Sequence, residues 1–206
     1  MRSSDHYVSR DRLDGPAVVG PRSQYRSLLE DASNFDSRYI EDYAQLSRIS
    51  QALKTLGLCV ALTSGSFDII HEGHSMYLEA ARNLGDFLVV GIDSDDKIRQ
   101  RKGPDRPAVP EMERLRMVTH QRGVGIVTLK QPVHPRWALI RAVQPDVLVA
   151  TAETYSAAEI AELEAGPCGR VEVLDRMATV STSARLRRIQ LKLADPDGGQ
   201  PAPAVP

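Results

Sequence analysis

Apolar residues along the middle of the chain gather in five short runs, at 58–63, 87–92, 125–129, 147–150 and 171–174. Each run is followed by a stretch whose apolar positions recur at three and four, over 73–83, 110–121, 135–143, 156–164 and 183–193. Near-continuous apolar runs of this length are the mark of strands buried on both faces in a parallel sheet. The intervening periodicity is that of helices packed on such a sheet. The alternation predicts an α/β fold: a Rossmann-like, doubly wound, parallel five-stranded sheet with helices on both faces.

Upstream, Tyr39, Tyr43, Leu46, Ile49, Leu53 and Leu56 form one apolar stripe. It predicts a helix running from Asp36 until Gly57 stops it. Such a stripe must cover something, either the core domain or a second copy of the chain. The pattern leaves both open, and a homodimer is expected. Residues 1–22 are polar and carry Gly15-Pro16 and Gly20-Pro21, as an extended arm would, and 195–206 are rich in Pro and Gly. The expected organisation is an arm and amphipathic helix over 1–57, a main domain over 58–193 and a disordered tail over 194–206.

Charge narrows the partners. Twenty-six Lys and Arg face 27 Asp and Glu, for a net charge of -1. That balance gives no support to nucleic acid or a membrane surface as partner. Cys59 and Cys168 have no metal or redox spacing. No run approaches the about 20 apolar residues a bilayer crossing needs, and residues 1–6 lack the apolar core of a secretion signal. A cytoplasmic protein is expected.

The chemistry concentrates at 65–74, Gly-Ser-Phe-Asp-Ile-Ile-His-Glu-Gly-His, between the first strand and the first helix. The carboxyl edge of a parallel sheet is where ligands bind, and the open N–H groups of a helix start favour anions. Gly65 permits a tight turn, Phe67 anchors it, and Gly73 lets a ligand lie close to backbone. His71 and His74, three apart, share the helix start and can donate hydrogen bonds to phosphate oxygens. Asp68 is more simply a brace for the loop. Zinc is a weak reading, because His-x-x-His lacks an obvious third ligand. The metalloprotease motif, with its histidines four apart, is not matched.

At these residues the chain resembles the nucleotidyltransferases of the cytidylyltransferase-like superfamily, whose Gly-x-Phe-Asp-x-x-His-x-Gly-His stretch is matched by Gly65 to His74. The likeness continues through 77–86. It implies that the chain transfers AMP, or less readily CMP, from ATP or CTP to a phosphorylated acceptor and releases pyrophosphate. A Lys-Gly-x-x-Arg-Pro loop with a following Pro-x-x-x-Arg is echoed by Lys102, Gly103, Arg106, Pro107, Pro110 and Arg114, which points to a sugar phosphate. The branches most similar are those activating heptose phosphate or glycerol phosphate. An Ile-Ser-Thr-Ser element is matched by 180–183, where the plainer role of the hydroxyls is a helix cap.

The resemblance assigns catalysis to His71, His74 and Lys102. It assigns nucleotide binding to Ser64, Gly65, Ser66, Phe67, Gly73, His74, Ala150, Glu153, Ser181, Thr182 and Ser183. Acceptor or phosphate binding falls to Asp68, Lys102, Arg106 and Arg114, with Arg114 equally a brace of its helix against the loop; the family's arginine after the hydroxyls stands at Leu186 here, so Arg185 is added from charge and proximity alone. No protein metal site is expected, Mg²⁺ being held mainly by nucleotide phosphates. From charge alone, Lys102 and Arg106 are equally a solvated basic turn. The chain departs from the family's Gly-rich segment after the fourth strand, where Thr151-Ala152-Glu153-Thr154-Tyr155 stands. Two other readings therefore stay open: an FMN adenylyltransferase, or a nucleotide-binding regulatory protein without turnover.

Overall fold

The apolar runs become five parallel strands in the computed structural model, which describes residues 35–175 and 177. They are β1 (Val60–Gly65), β2 (Phe87–Asp93), β3 (Val124–Lys130), β4 (Val147–Thr151) and β5 (Arg170–Leu174), ordered β3-β2-β1-β4-β5. The order reverses at β1, between β2 and β4. At that reversal the connections leave toward opposite faces and open a crevice at the carboxyl ends of the strands.

Alternating side chains along each strand feed two cores. Val60, Leu62, Phe87, Val89, Ile126 and Leu148 point to one face. There they meet α2 (Tyr43–Thr55), α6 (Ala138–Val143) and α7 (Ala157–Glu164), through residues such as Leu46, Ile49, Leu139, Val143 and Leu163. Ala61, Leu88, Val90, Val127 and Val149 point the other way, onto Leu78 and Ala81 of α3 (Glu72–Asn83) and Leu115 and Val118 of α5 (Glu111–Thr119). The doubly wound architecture expected from the pattern is present.

The N-terminal stripe is not one helix. It divides into α1 (Phe35–Arg38) and α2, separated at 39–42. Tyr39 bridges to Val127, and the Ile40 amide donates to the Val127 carbonyl at 3.0 Å. The chain thus lies along the otherwise open edge of β3. Asp42 restarts the helix by accepting from the Ala44 amide at 2.8 Å. Leu46, Ile49 and Leu53 are buried in the same chain's core. Ser50 Oγ donates to the Val143 carbonyl at 2.6 Å, and Lys54 pairs with Asp146 at 3.2 Å. The stripe packs in cis, so it no longer argues for a second subunit.

The basic segment expected as a loop also differs. Arg99, Arg101 and Lys102 lie on α4 (Asp95–Lys102). Ser94 caps it by accepting from the Lys97 amide at 3.2 Å, and Asp95 and Asp96 suit its positive end. Gly103, at φ 96°, ends it in a conformation few side chains tolerate.

Candidate active site

The turn after β1 is fixed from below. Phe67 adopts φ 45° with its ring buried. Asp68 Oδ1 accepts from the amides of Ala108 and Val109 at 2.8 and 3.0 Å, while Oδ2 lies 2.6 Å from the Arg106 guanidinium. Asp68 therefore ties the β1 turn to the segment leading into α5. Arg114 ties in the rest. Fully buried, it donates to the carbonyls of Ser66 at 2.5 Å, Asp93 at 2.9 Å and Val109 at 2.9 Å, and to Asp95 Oδ1 at 2.7 Å. Of its two expected roles, phosphate contact and brace, the guanidinium is placed as a brace between β1, β2 and α4, and it lines neither cavity described below.

On that frame His71 stands in extended conformation at the N-cap of α3, and the His74 amide donates to its carbonyl at 2.8 Å. The two imidazoles stack with ring centroids 4.0 Å apart, and Phe67 sits 5.4 Å from His74. Burial pushes the His74 imidazole down to about 4 from its ordinary 6.5; His71 and Lys102 add to this, and a hydrogen bond to the Ile69 backbone opposes it. At neutral pH His74 is an uncharged N–H donor.

Two cavities meet at the end of β1. The first, of about 420 Å³, is lined by Phe67, Asp68, His71, Gly73, His74, Tyr77, Arg106, Asp175 and Met177. The second, of about 730 Å³, is lined by Tyr43, Asp93, Lys97, Arg101, Lys130, His134, Arg136 and Trp137, over a floor of Leu139, Ile140 and Leu148. Ser64, Gly65, Ser66, Lys102, Thr151, Glu153 and Thr154 line both. Lys102 Nζ is 3.1 Å from Ser66 Oγ on this shared wall. Burial, then Arg101 and Arg106, push its ammonium below the ordinary lysine value.

The second cavity is built by parts of the chain that the motif does not mention. Asp93 ends β2, nearly buried, with Arg101 at 3.0 Å, Lys130 at 3.3 Å and Lys97 at 3.9 Å. Burial would raise its carboxyl, but Lys130, Arg101 and Lys97 outweigh that and hold it below the ordinary value. Lys130 reaches on to Ser64 Oγ at 3.0 Å. A Cβ on Gly91 would come within 2.4 Å of Leu139 and 2.9 Å of the Lys130 stem, so only glycine leaves room for that reach. Trp137, at φ 62°, carries the Arg136 guanidinium over its ring at 4.0 Å, and Arg136 pairs with Glu159 at 2.6 Å. Tyr43 comes from α2; its hydroxyl donates to the Leu129 carbonyl at 3.1 Å, and its ring lies 4.5 Å from that of His134.

Of the residues named from sequence, Ser64, Gly65, Ser66, Phe67, Asp68, His71, Gly73, His74, Lys102, Arg106 and Glu153 gather around the first cavity. Ala150 is buried within β4 and lines neither cavity. Ser181, Thr182, Ser183 and Arg185 lie outside the described residues. The sequence reading missed Tyr43, Lys97, Arg101, Lys130, His134, Arg136 and Trp137. Lys130 had one signal: it ends a strand at the edge where ligands bind.

Comparison with known proteins agrees with this geometry. The family model described as cytidylyltransferase-like matches residues 62–183. The bifunctional protein HldE of a Nitratiruptor species is 30% identical over 186 residues, covering 86% of this chain and 39% of its own length. The HldE protein of Rhodopseudomonas palustris is 35% identical over 182 residues, with 86% and 37% covered. The chain thus spans less than two fifths of the length of these relatives. The lipopolysaccharide core biosynthesis protein from Thermoplasma volcanium GSS1 superposes with a TM-score of 0.50 at 25% identity, covering 58% of this chain and 97% of that one. Pantoate-beta-alanine ligase from Francisella tularensis shares the fold, with a TM-score of 0.52 at 11% identity over 77% and 76% of the two chains. With more than half of its length matched by the family model, and with the paired imidazoles at the β1–α3 turn, this chain belongs to the cytidylyltransferase-like family.

Proposed function

We propose that this chain transfers a nucleoside monophosphate from a nucleoside triphosphate, ATP before CTP, to a phosphorylated sugar, and releases pyrophosphate. One observation carries the reading most directly: stacked His71 and His74 at the start of α3 face a cavity that opens across Lys102 into a second one. The first cavity takes the triphosphate and the second takes the acceptor. An oxygen of the acceptor's phosphate attacks the α-phosphorus in line. The new P–O bond forms as the bond to the bridging α–β oxygen breaks, and pyrophosphate leaves with that electron pair. A phosphate monoester is already an anion at neutral pH, so no strong base is needed. The rate comes from alignment and from donors aimed at developing charge.

His74 suits that task because it donates an N–H without carrying charge into the site. His71, stacked on it, offers a second donor. Lys102, on the wall common to both cavities, draws the acceptor phosphate and the α-phosphate together. Ser181 to Ser183 and Arg185 are proposed to hold the departing pyrophosphate. Mg²⁺ is proposed to be held mainly by the triphosphate oxygens in the first cavity, whose lining also includes Glu153 and Asp175. Bound there with the nucleotide, it would neutralise triphosphate charge. The turn at 151–155 borders both cavities, with Thr151 and Thr154 hydroxyls 3.0 Å apart, and closes neither. That favours turnover over a binding-only role.

The test is pyrophosphate release from ATP or CTP with a panel of phosphorylated sugars and with FMN. Release with a sugar phosphate is the expected result. Release with FMN alone would move the chain to flavin adenylylation, and tight nucleotide binding without release would make it a regulatory binder.

A further inference from the structure

The second cavity holds more positive charge than one phosphate monoester needs. Among the described residues five cationic side chains line it against two carboxylates, Asp93 and Glu153, an excess of three. Arg136 turns toward Glu159, which leaves an excess of two inside. The reacting phosphate has to lie on the shared wall, next to the triphosphate, where Lys102 stands 3.1 Å from the Ser66 hydroxyl. Lys97, Arg101 and Lys130 are then left to ring a single buried carboxylate at 3.9, 3.0 and 3.3 Å.

One or two cations satisfy a buried aspartate. A third on the same cavity wall adds like-charge repulsion that a purely structural cluster has no reason to carry. The strain registers on Lys97, whose ammonium is depressed by burial and then by Lys130. The three cations remain partly open to the cavity, with side chains 34%, 54% and 22% exposed. Among the described residues the first cavity has the opposite balance, three carboxylates against Lys102 and Arg106. The excess is therefore local to the acceptor's side. Trp137 and Tyr43 line the same cavity and add aromatic surface of the kind a sugar packs against.

Resting on the nucleotidyl-transfer reading above, we propose that the acceptor is a sugar phosphate bearing a second anionic group, a carboxylate or a further phosphate, which Lys97, Arg101 and Lys130 bind around Asp93. The reacting phosphate lies at Lys102 and the second anion at the cluster, whose Lys130 also reaches Ser64 on the shared wall. Lys97 and Arg101 select this substrate class and take no part in bond making.

The test compares three acceptors with the full chain: a hexose 1-phosphate, the matching hexuronic acid 1-phosphate and the hexose 1,6-bisphosphate. The wild type is expected to favour one of the two doubly anionic compounds in kcat/KM by at least about tenfold, the worth of one charge-assisted contact. The carboxylate and the bisphosphate arms show which anion is meant. In a Lys97→Gln, Arg101→Gln double variant that ratio should fall by about tenfold or more, carried mainly by acceptor KM. Equal use of the plain hexose 1-phosphate by the wild type would overturn the proposal and leave nucleotidyl transfer standing. So would a double variant that raises KM for the nucleotide and keeps its acceptor preference. If no acceptor releases pyrophosphate, nucleotidyl transfer fails. Calorimetric binding of the same three compounds still decides the inference, since equal affinities would end it.

Discussion

The two cavities share one wall and differ in almost everything else. The first centres on one short segment, 64–77, with paired imidazoles, and among the described residues it carries slightly more carboxylate than cation. The second is assembled from α2, the ends of β2 and β3, α4 and the turn before α6, and it is basic and aromatic. The difference teaches a division of labour. A triphosphate arrives with its own divalent ion, so its cavity needs neutral donors and a few oxygens rather than a surplus of cations. The acceptor comes without one, and its charge must be met by the protein.

The largest expected effect removes the element common to both. Arg114→Ala takes away the donor that holds the Ser66 and Asp93 carbonyls and leaves Asp95 without it. Breaking a buried charge network of this kind costs about 3–5 kcal/mol, so chemical denaturation should show that loss and turnover with every acceptor should fall. A mild, acceptor-specific defect would contradict the bracing role. Next comes the first cavity alone. His74→Ala should lower kcat by about 100-fold, as loss of one well-aimed donor does, while thermal melting stays close to that of the wild type. An undiminished kcat in a folded variant would sink the role given to His74.

The second cavity is next in size. Lys130→Met should raise acceptor KM about tenfold through one lost charged contact, with a smaller change in nucleotide KM. The reverse split would exchange the occupants of the two cavities. A further effect is a pH dependence of stability, which is absent at neutral pH. His74 is held at about 4 in the folded chain, against an ordinary 6.5 when unfolded. As pH falls through that window the unfolded chain takes up the proton first, so the folded state loses stability between about 6.5 and about 4. Above that window the group costs nothing. Saturating nucleotide should narrow the loss, because phosphate next to the imidazole favours its charged form. Melting curves for wild type and His74→Gln across this range measure it, and parallel curves would remove the burial argument.

The sheet was legible because parallel strands buried on both faces need unbroken apolar runs, and Val, Leu and Ile supply them at Val60–Leu62 and Phe87–Ile92. The first cavity was legible because its histidines, glycines and Phe67 are contiguous. The second was not. Tyr43, Asp93, Lys97, Lys130 and Trp137 meet only after the sheet has brought distant segments to one edge. Nothing in local periodicity marks Trp137, whose ring is set by a left-handed backbone. The break at 39–42 was hidden for a related reason: the stripe continues through Tyr39, but that residue is spent on the edge of β3 rather than on a helix face. Arg114 shows the opposite risk, since its place in a family-like pattern suggested a ligand contact while its burial makes it a strut.

The family model begins at Leu62, although the HldE relatives align over 86% of the chain and so reach upstream of it, and Tyr43 forms part of the proposed sugar chamber. Anyone trimming this protein to the span of the family model would discard one side of the substrate's room together with the strap that covers the outer strand. The shortened enzyme would retain its nucleotide pocket and lose its grip on the partner molecule.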